Sequence, residues 1–424
     1  MSSLPIPTAD AQQHSQALTN LIAKTIQNAG GWINFAEFMH LALYAPSLGY
    51  YSAGSQKFGD MQNGGGDFVT APQISPLFAQ TIAKQLAQVL HELALKNLQG
   101  NILELGAGTG RLACDTLLSL SCLSLSQSSQ LPAQYFILEV SDHLRQVQLE
   151  YLQKNLPADL FKRVVWLQAL PENFNGVIIA NEVLDALAVH IVHNTPAGLC
   201  ERGIALANDI EVTDSEKLNS FAISGEKLNG FSQADILIPP QKTATQQYLV
   251  DAANALNLPQ HYITEFCPAA IGLVASLADT LQHGAILLID YGFSAREYYH
   301  PQRNQGTLMC HYQQLAHTNP LTHIGLQDIT AHVDFTSIAH AGVNNGLALS
   351  GFCSQAQFLM NCGILDVMAE VSPQDIARYA PIAAAAQKLL SPAEMGDLFK
   401  VIGFTKGLET ELIGFSTGDK SHTL

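Results

Sequence analysis

The chain has 424 residues, with 20 Lys plus Arg against 36 Asp plus Glu and a formal net charge of −16. The basic residues form no run, which argues against a nucleic-acid partner, because phosphate backbones are met by clustered Lys and Arg. With 47% hydrophobic and only 13% charged residues, the composition is that of a globular protein with room for two domains or one elaborated domain.

In chain order, Leu18, Leu21, Ile22 and Ile26 share one face of a helix predicted over 15–29, which Gly30 and Gly31 stop. A second helix is predicted to start at Asn34, with Glu37 in a capping-box-like position and Phe35, Phe38, Met39 and Ala42 facing inward. Residues 44–75 carry LGYY, the cluster Gly64 to Gly66, and Asp67 followed by FVTAP, which together read as an ordered loop that covers or lines a site. A helix over 76–91 then leads to the stretch on which the rest depends.

That stretch is NILELGAGTGRL, Asn101 to Leu112. An apolar run broken only by Glu104 ends at Gly106, Gly108 and Gly110, the pattern of a buried strand turning into a helix, here predicted over 111–118. The glycines let the backbone turn tightly and approach a ligand, and the helix start offers free N–H groups. Gly110 is followed by Arg111-Leu112, so a Walker loop is disfavoured, and Arg111 stands where a dinucleotide fingerprint has its last glycine. Acid-x-Gly-x-Gly-x-Gly is the pattern of S-adenosylmethionine methyltransferases.

The next strand is predicted in YFILEVS, where Glu139 closes an apolar run and offers its carboxylate to two ribose hydroxyls. The spacing from Gly110 exceeds the ~20 residues of the dinucleotide fold, and the excess, Ser119 to Gln130, reads as a surface insertion. A helix over 142–155 and strands at 164–166 and 176–180 follow. The last of these ends in Asn181-Glu182-Val183-Leu184-Asp185, at the carboxyl edge where open α/β sheets bind ligands. A helical turn there would place Asn181, Glu182 and Asp185 so that at least one pair shares a face, which reads either as Asn181 capping a helix with Asp185 solvated or as a polar pocket that orients a methyl acceptor.

From His190 to about Gln241 the pattern reads as a strand-rich insertion. Helices near 243–256 and 268–282 return the chain to a strand at Ala285 to Asp290, with further strands at 347–352 and 401–406. These elements divide the chain into an N-terminal helical and loop region (1–95), the first part of the core (96–190), an insertion that serves as the substrate region (191–282), and the rest of the core with C-terminal substrate-side elements (283–424).

Seven cysteines without a C-x-x-C, and fifteen histidines without H-E-x-x-H, predict reduced thiols and no metal. The N-terminal stretch shows neither a signal-peptide nor a transit pattern, and the apolar runs fall short of the ~20 residues that span a bilayer. The expectation is a cytoplasmic protein.

With these residues in place, the chain resembles the MidA family of S-adenosylmethionine-dependent methyltransferases, which includes a mitochondrial arginine methyltransferase of complex I assembly. The resemblance runs through LALYAPSLGYY (Leu41 to Tyr51), GDFVTAPQISPLF (Gly66 to Phe78), LELGAGTGRL, LEVSDHLRQVQ (Leu138 to Gln148), ANEVLDAL (Ala180 to Leu187), IDYGF (Ile289 to Phe293), GLQDITAHVDFT (Gly325 to Thr336) and MGDLFKV (Met395 to Val401). Ala188, Gln73 and Met309 depart from the family's usual proline, acid and basic residue.

The resemblance implies a class I, Rossmann-like, doubly wound α/β sheet with an N-terminal helical and loop extension and a strand-rich insertion. It implies S-adenosylmethionine as cofactor and a protein arginine side chain as acceptor, with Gly106, Gly108 and Gly110 holding the cofactor's amino-acid part, Glu139 its ribose, Glu104 the loop geometry, and Asp67 closing the site. Asn181, Glu182 and Asp185 are the expected acceptor residues, and a homodimer is compatible with the sequence. Two other readings stand beside this one: an assembly factor for a respiratory complex that binds the cofactor, and a small-molecule methyltransferase.

Overall fold

The computed structural model describes residues 4–53, 69–127, 131–207, 221–223 and 228–424. It divides into two compact units, Met1–Lys57 with Ala186–Ala270 and Arg296–His332, and Phe58–Asp185 with Ile271–Ala295 and Val333–Leu424.

The second unit is built on an eight-stranded sheet. Its main strands are β1 (Asn101–Leu105), β2 (Tyr135–Leu138), β3 (Val164–Leu167), β4 (Phe174–Asn181), β5 (Leu281–Phe293), β6 (Ala348–Ser354) and β7 (Phe399–Lys406). Their spatial order is β3-β2-β1-β4-β5-β7-β6, with the short strand Val333–Asp334 pairing in parallel with the end of β5. β1 to β5 run parallel, and β7 enters antiparallel between β5 and β6. The reversal between β1 and β4 is the topological switch point at which doubly wound sheets bind ligands.

The strands read as continuous apolar runs because both faces of the sheet are covered. Ile102, Val177, Ile179, Leu287 and Val401 share one core with Leu86 and Leu90 of the helix Pro76–Leu95 and Leu117 of the helix Arg111–Gln127. Alternate residues Leu103, Ile178, Leu288 and Phe404 are equally buried and point to the opposite face. There the helix Phe335–Asn344 lies so close that a Cβ on Gly342 would meet the Phe404 ring at 2.4 Å.

Ser119 to Gln127 is not a surface insertion but the continuation of the helix that starts at Arg111. Leu117 and Leu120 are both buried and Leu123 packs against the same core, so these leucines keep a helical period.

The first unit contains the helices Ala9–Asn28 and Phe35–Tyr44. The first begins earlier than its apolar stripe, because Thr8 caps it; Leu18, Ile22 and Ile26 are buried as their spacing requires. Asn34 caps the second by accepting the N–H of Glu37 at 2.8 Å. The region expected to be strand-rich forms an antiparallel sheet from Trp32–Asn34, His190–Thr195, Gly198–Leu206, Phe221–Ile223, Phe231–Leu237 and Ile263–Phe266. His193 and Arg202 both pair with the buried Asp235 carboxylate, at 2.8 and 2.7 Å. His190 likewise pairs with Glu201 at 2.7 Å, so both histidines act as partners of acids within the sheet.

Candidate active site

The glycine loop leaves β1 through three residues with left-handed backbones: Gly106 at φ +61°, Gly108 at +54° and Gly110 at +83°. Only glycine takes such angles without a penalty. A Cβ on Gly106 would also sit 3.0 Å from the Val183 side chain, and one on Gly110 would touch Gln148 at 3.4 Å. Gln73 braces the loop from the preceding segment, since its side-chain amide donates to the Thr109 hydroxyl while its backbone carbonyl accepts from Arg111 Nη1 at 3.1 Å.

At the end of β2, Glu139 is almost fully buried. One carboxylate oxygen accepts the Ser141 N–H at 2.9 Å and the other accepts from Gln148 Nε2 at 3.0 Å. Burial pushes its pKa up, against the pull of those hydrogen bonds. Glu104 lies within β1 and accepts the Tyr135 hydroxyl at 2.7 Å. Burial, aided by the negative charge of Glu139, raises it to about 7. Val140, next to Glu139, is 78% exposed, an apolar side chain beside a buried carboxylate.

At the end of β4 the expected helical turn is absent. Asn181 is the last strand residue, and Glu182 takes a left-handed backbone, φ +54°, while its N–H donates to Ile289 O at 2.9 Å. The reason is Asp290 on β5. Its Oδ2 accepts the N–H groups of Val183, Leu184 and Asp185 at 3.2, 2.8 and 3.3 Å, and its Oδ1 accepts that of Tyr291 at 2.9 Å. The carboxylate curls the turn around itself. Burial first, then the charges of Asp185 and Glu182, hold the Asp290 carboxyl well above the usual carboxylate range. Asn181 donates to Glu182 Oε1 at 3.1 Å, while its Oδ1 is buried with no partner among the described residues. Asn181, Glu182, Asp185 and Asp290 therefore form one polar cluster at the switch point, against the glycine loop through Val183. Asp67 lies outside the described residues.

The model of a family described as "Putative S-adenosyl-L-methionine-dependent methyltransferase" matches residues 81–353. The chain belongs to this methyltransferase family. Its structure superposes on a crystal structure from Burkholderia thailandensis bound to S-adenosyl-homocysteine, with TM-score 0.87 and 45% identity over the whole of both chains. A second structure from that organism gives TM-score 0.84 and 43% identity, also over both whole chains. The protein arginine methyltransferase NDUFAF7, mitochondrial, of Danio rerio is 29% identical over 403 residues, covering 90% of this chain and 85% of its own. The counterpart in Caenorhabditis elegans is 28% identical over 358 residues, 79% of this chain and 74% of its own.

The methyltransferase uses S-adenosylmethionine, and its residues fit that cofactor. At the end of β1 a Cβ on Gly106 would press on Val183, so the backbone there stays bare, and the next strand ends in a buried carboxylate beside an exposed valine. The expectation of a cytoplasmic protein does not stand, because these curated relatives, covering most of the chain, are named mitochondrial. No helix among the described residues is long and apolar enough to cross a membrane.

Gln73 stands out in the sequence only as a departure from the family's usual acid, and the roles of Asp290 and Gln148 are not visible there. Asp290 stood in view at the end of an apolar run, as Glu139 did, and that shared position was the available signal. Gln148 carried none, since a glutamine in a helix is ordinary.

Proposed function

We propose that this methyltransferase transfers its methyl group to a guanidinium nitrogen of a protein arginine. The observation that carries the reading is the pair of acids Glu182 and Asp185 beside the glycine loop, on a turn whose N–H groups at residues 183–185 are pinned by Asp290. A planar cation with five N–H donors suits such a pair, and the Danio rerio relative's name, protein arginine methyltransferase, supports the same acceptor.

In this reading Gly106, Gly108 and Gly110 hold the amino-acid part of the cofactor, Glu139 holds the ribose hydroxyls, and Val140 packs against the base. Glu104, bonded to Tyr135, fixes the strand from which the loop departs. The bound cofactor supplies a methyl already activated as a sulfonium, so the chain's own work is alignment, worth ~7–11 kcal/mol when complete. Glu182 and Asp185 grip the guanidinium through charge-assisted hydrogen bonds of roughly 1.5–3 kcal/mol each. They leave one nitrogen free to face the methyl, and Asn181 Oδ1 accepts a further N–H. A carboxylate of the cluster takes the proton that the methylated nitrogen releases.

A role in assembly alone needs no acidic acceptor pocket and is not favoured. The test is mass spectrometry of extract proteins incubated with the enzyme and cofactor. Methylation on arginine in one or a few proteins supports the reading, and methylation of a small molecule alone refutes it.

A further inference from the structure

Gln148 is wholly buried in the middle of the helix Asp142–Asn155, where its amide joins three elements. Nε2 donates to Glu139 Oε2 and to Gly108 O, each at 3.0 Å, and Oε1 accepts the Trp166 indole N–H at 3.0 Å. Trp166 belongs to β3. Indole nitrogen only donates, so that contact fixes which end of the amide is oxygen and leaves both Nε2 hydrogens for Glu139 and Gly108. The backbone of Gln148 also lies against Gly110. The helix itself is anchored at Ser141, whose hydroxyl accepts the Leu144 N–H at 3.3 Å while its own N–H donates to Glu139 Oε1.

We infer that Gln148 is a positioning residue for the cofactor, a clasp that holds the Glu139 carboxylate and the glycine loop in one fixed geometry with Trp166 locking the orientation of its amide. The clasp acts on two parts of the cofactor site at once. A buried carboxylate with free rotation would offer its lone pairs in many directions, whereas Glu139, held on one oxygen by Ser141 and on the other by Gln148, offers them in one. The same amide holds the Gly108 carbonyl of the glycine loop in place. None of this depends on the identity of the methyl acceptor.

The decisive variant is Gln148→Glu, nearly the same shape with a carboxylate in place of the two donors. The new pair is formed with Glu139, and the groups facing it are Glu104 from β1, Tyr135 bonded to Glu104, and Arg145 on the same helix. With both carboxylates ionised they repel and the clasp opens; one shared proton restores a donor between them. S-adenosylhomocysteine binding, measured by calorimetry against wild type at each pH, is expected to be about tenfold or more weaker near pH 8. The ratio should return toward one as pH falls. Wild type serves as the control for Glu104, which titrates in the same range. Trp166→Phe, which only frees the amide to turn over, is expected to lose affinity several-fold and keeps the test open should Gln148→Glu not fold. A folded Gln148→Glu that binds S-adenosylhomocysteine like wild type at every pH overturns the inference, as does unchanged affinity in Trp166→Phe if that variant alone folds.

Discussion

Asp290 Oδ2 lies 2.8 Å from the backbone nitrogen of Leu184, so the end of β5 shapes the turn that leaves β4. Removing the carboxylate strips the acceptor from the N–H groups of Val183, Leu184 and Asp185 together. Asp290→Ala should cost roughly 1–3 kcal/mol in denaturant unfolding for the orphaned donors, and it should lower kcat more than it weakens S-adenosylhomocysteine binding. Binding that falls as far as kcat would place Asp290 on the cofactor side.

Glu104 makes stability depend on pH. Its carboxyl is raised to about 7 in the folded protein, against a usual value near 4.3. Between those values the folded state therefore holds a proton that the unfolded state has lost. The raised value means that stability falls as pH rises through this window, by an amount on the order of 3 kcal/mol, and levels off above it. Glu104→Gln can still accept the Tyr135 hydroxyl and should flatten that slope. Thermal unfolding of both proteins between about pH 5 and 8 reads the difference; parallel curves would remove Glu104 as the cause.

The carboxylates at the two strand ends should separate by assay. Glu139→Ala should weaken S-adenosylhomocysteine binding on the order of tenfold or more, because Ser141 and Gln148 lose their acceptor along with the cofactor. Glu182→Ala should leave that binding near wild type and lower turnover by roughly 10- to 100-fold, the worth of a charge-assisted hydrogen bond. Calorimetry that found both variants equally impaired in cofactor binding would contradict the division of roles.

Gly106→Ala tests the loop. The backbone there is at φ +61° and the new methyl would press on Val183 at 3.0 Å. Forcing an L-residue into this region costs ~1–2 kcal/mol, so a modest drop in melting temperature should accompany a large loss of cofactor affinity. A variant with unchanged affinity would mean that the loop tolerates displacement.

The parallel strands were legible in the sequence because burial on both faces leaves an apolar run, and the glycine loop because its left-handed angles admit few residue types. Glu139 stood out by its position at the end of an apolar run. The role of Asp290 did not: it acts on backbone N–H groups more than a hundred positions earlier in the chain (residues 183–185), and any residue except proline supplies such a group. The left-handed Glu182 was misread as part of a helical turn for the same reason, since its conformation is imposed by Asp290 and not by its own side chain. Ser119 to Gln127 was misread because serine and glutamine, frequent in loops, hid leucines that kept a helical period.

The most direct measurement supplies the enzyme with S-adenosylmethionine labelled on its methyl group and a protein extract from cells lacking the enzyme, then analyses the acid-hydrolysed protein for labelled amino acids. Label is expected in methylarginine with wild type, and its loss with Glu182→Ala while S-adenosylhomocysteine binding persists. Label absent from protein arginine, from an enzyme that demonstrably binds the cofactor, would contradict arginine as the acceptor.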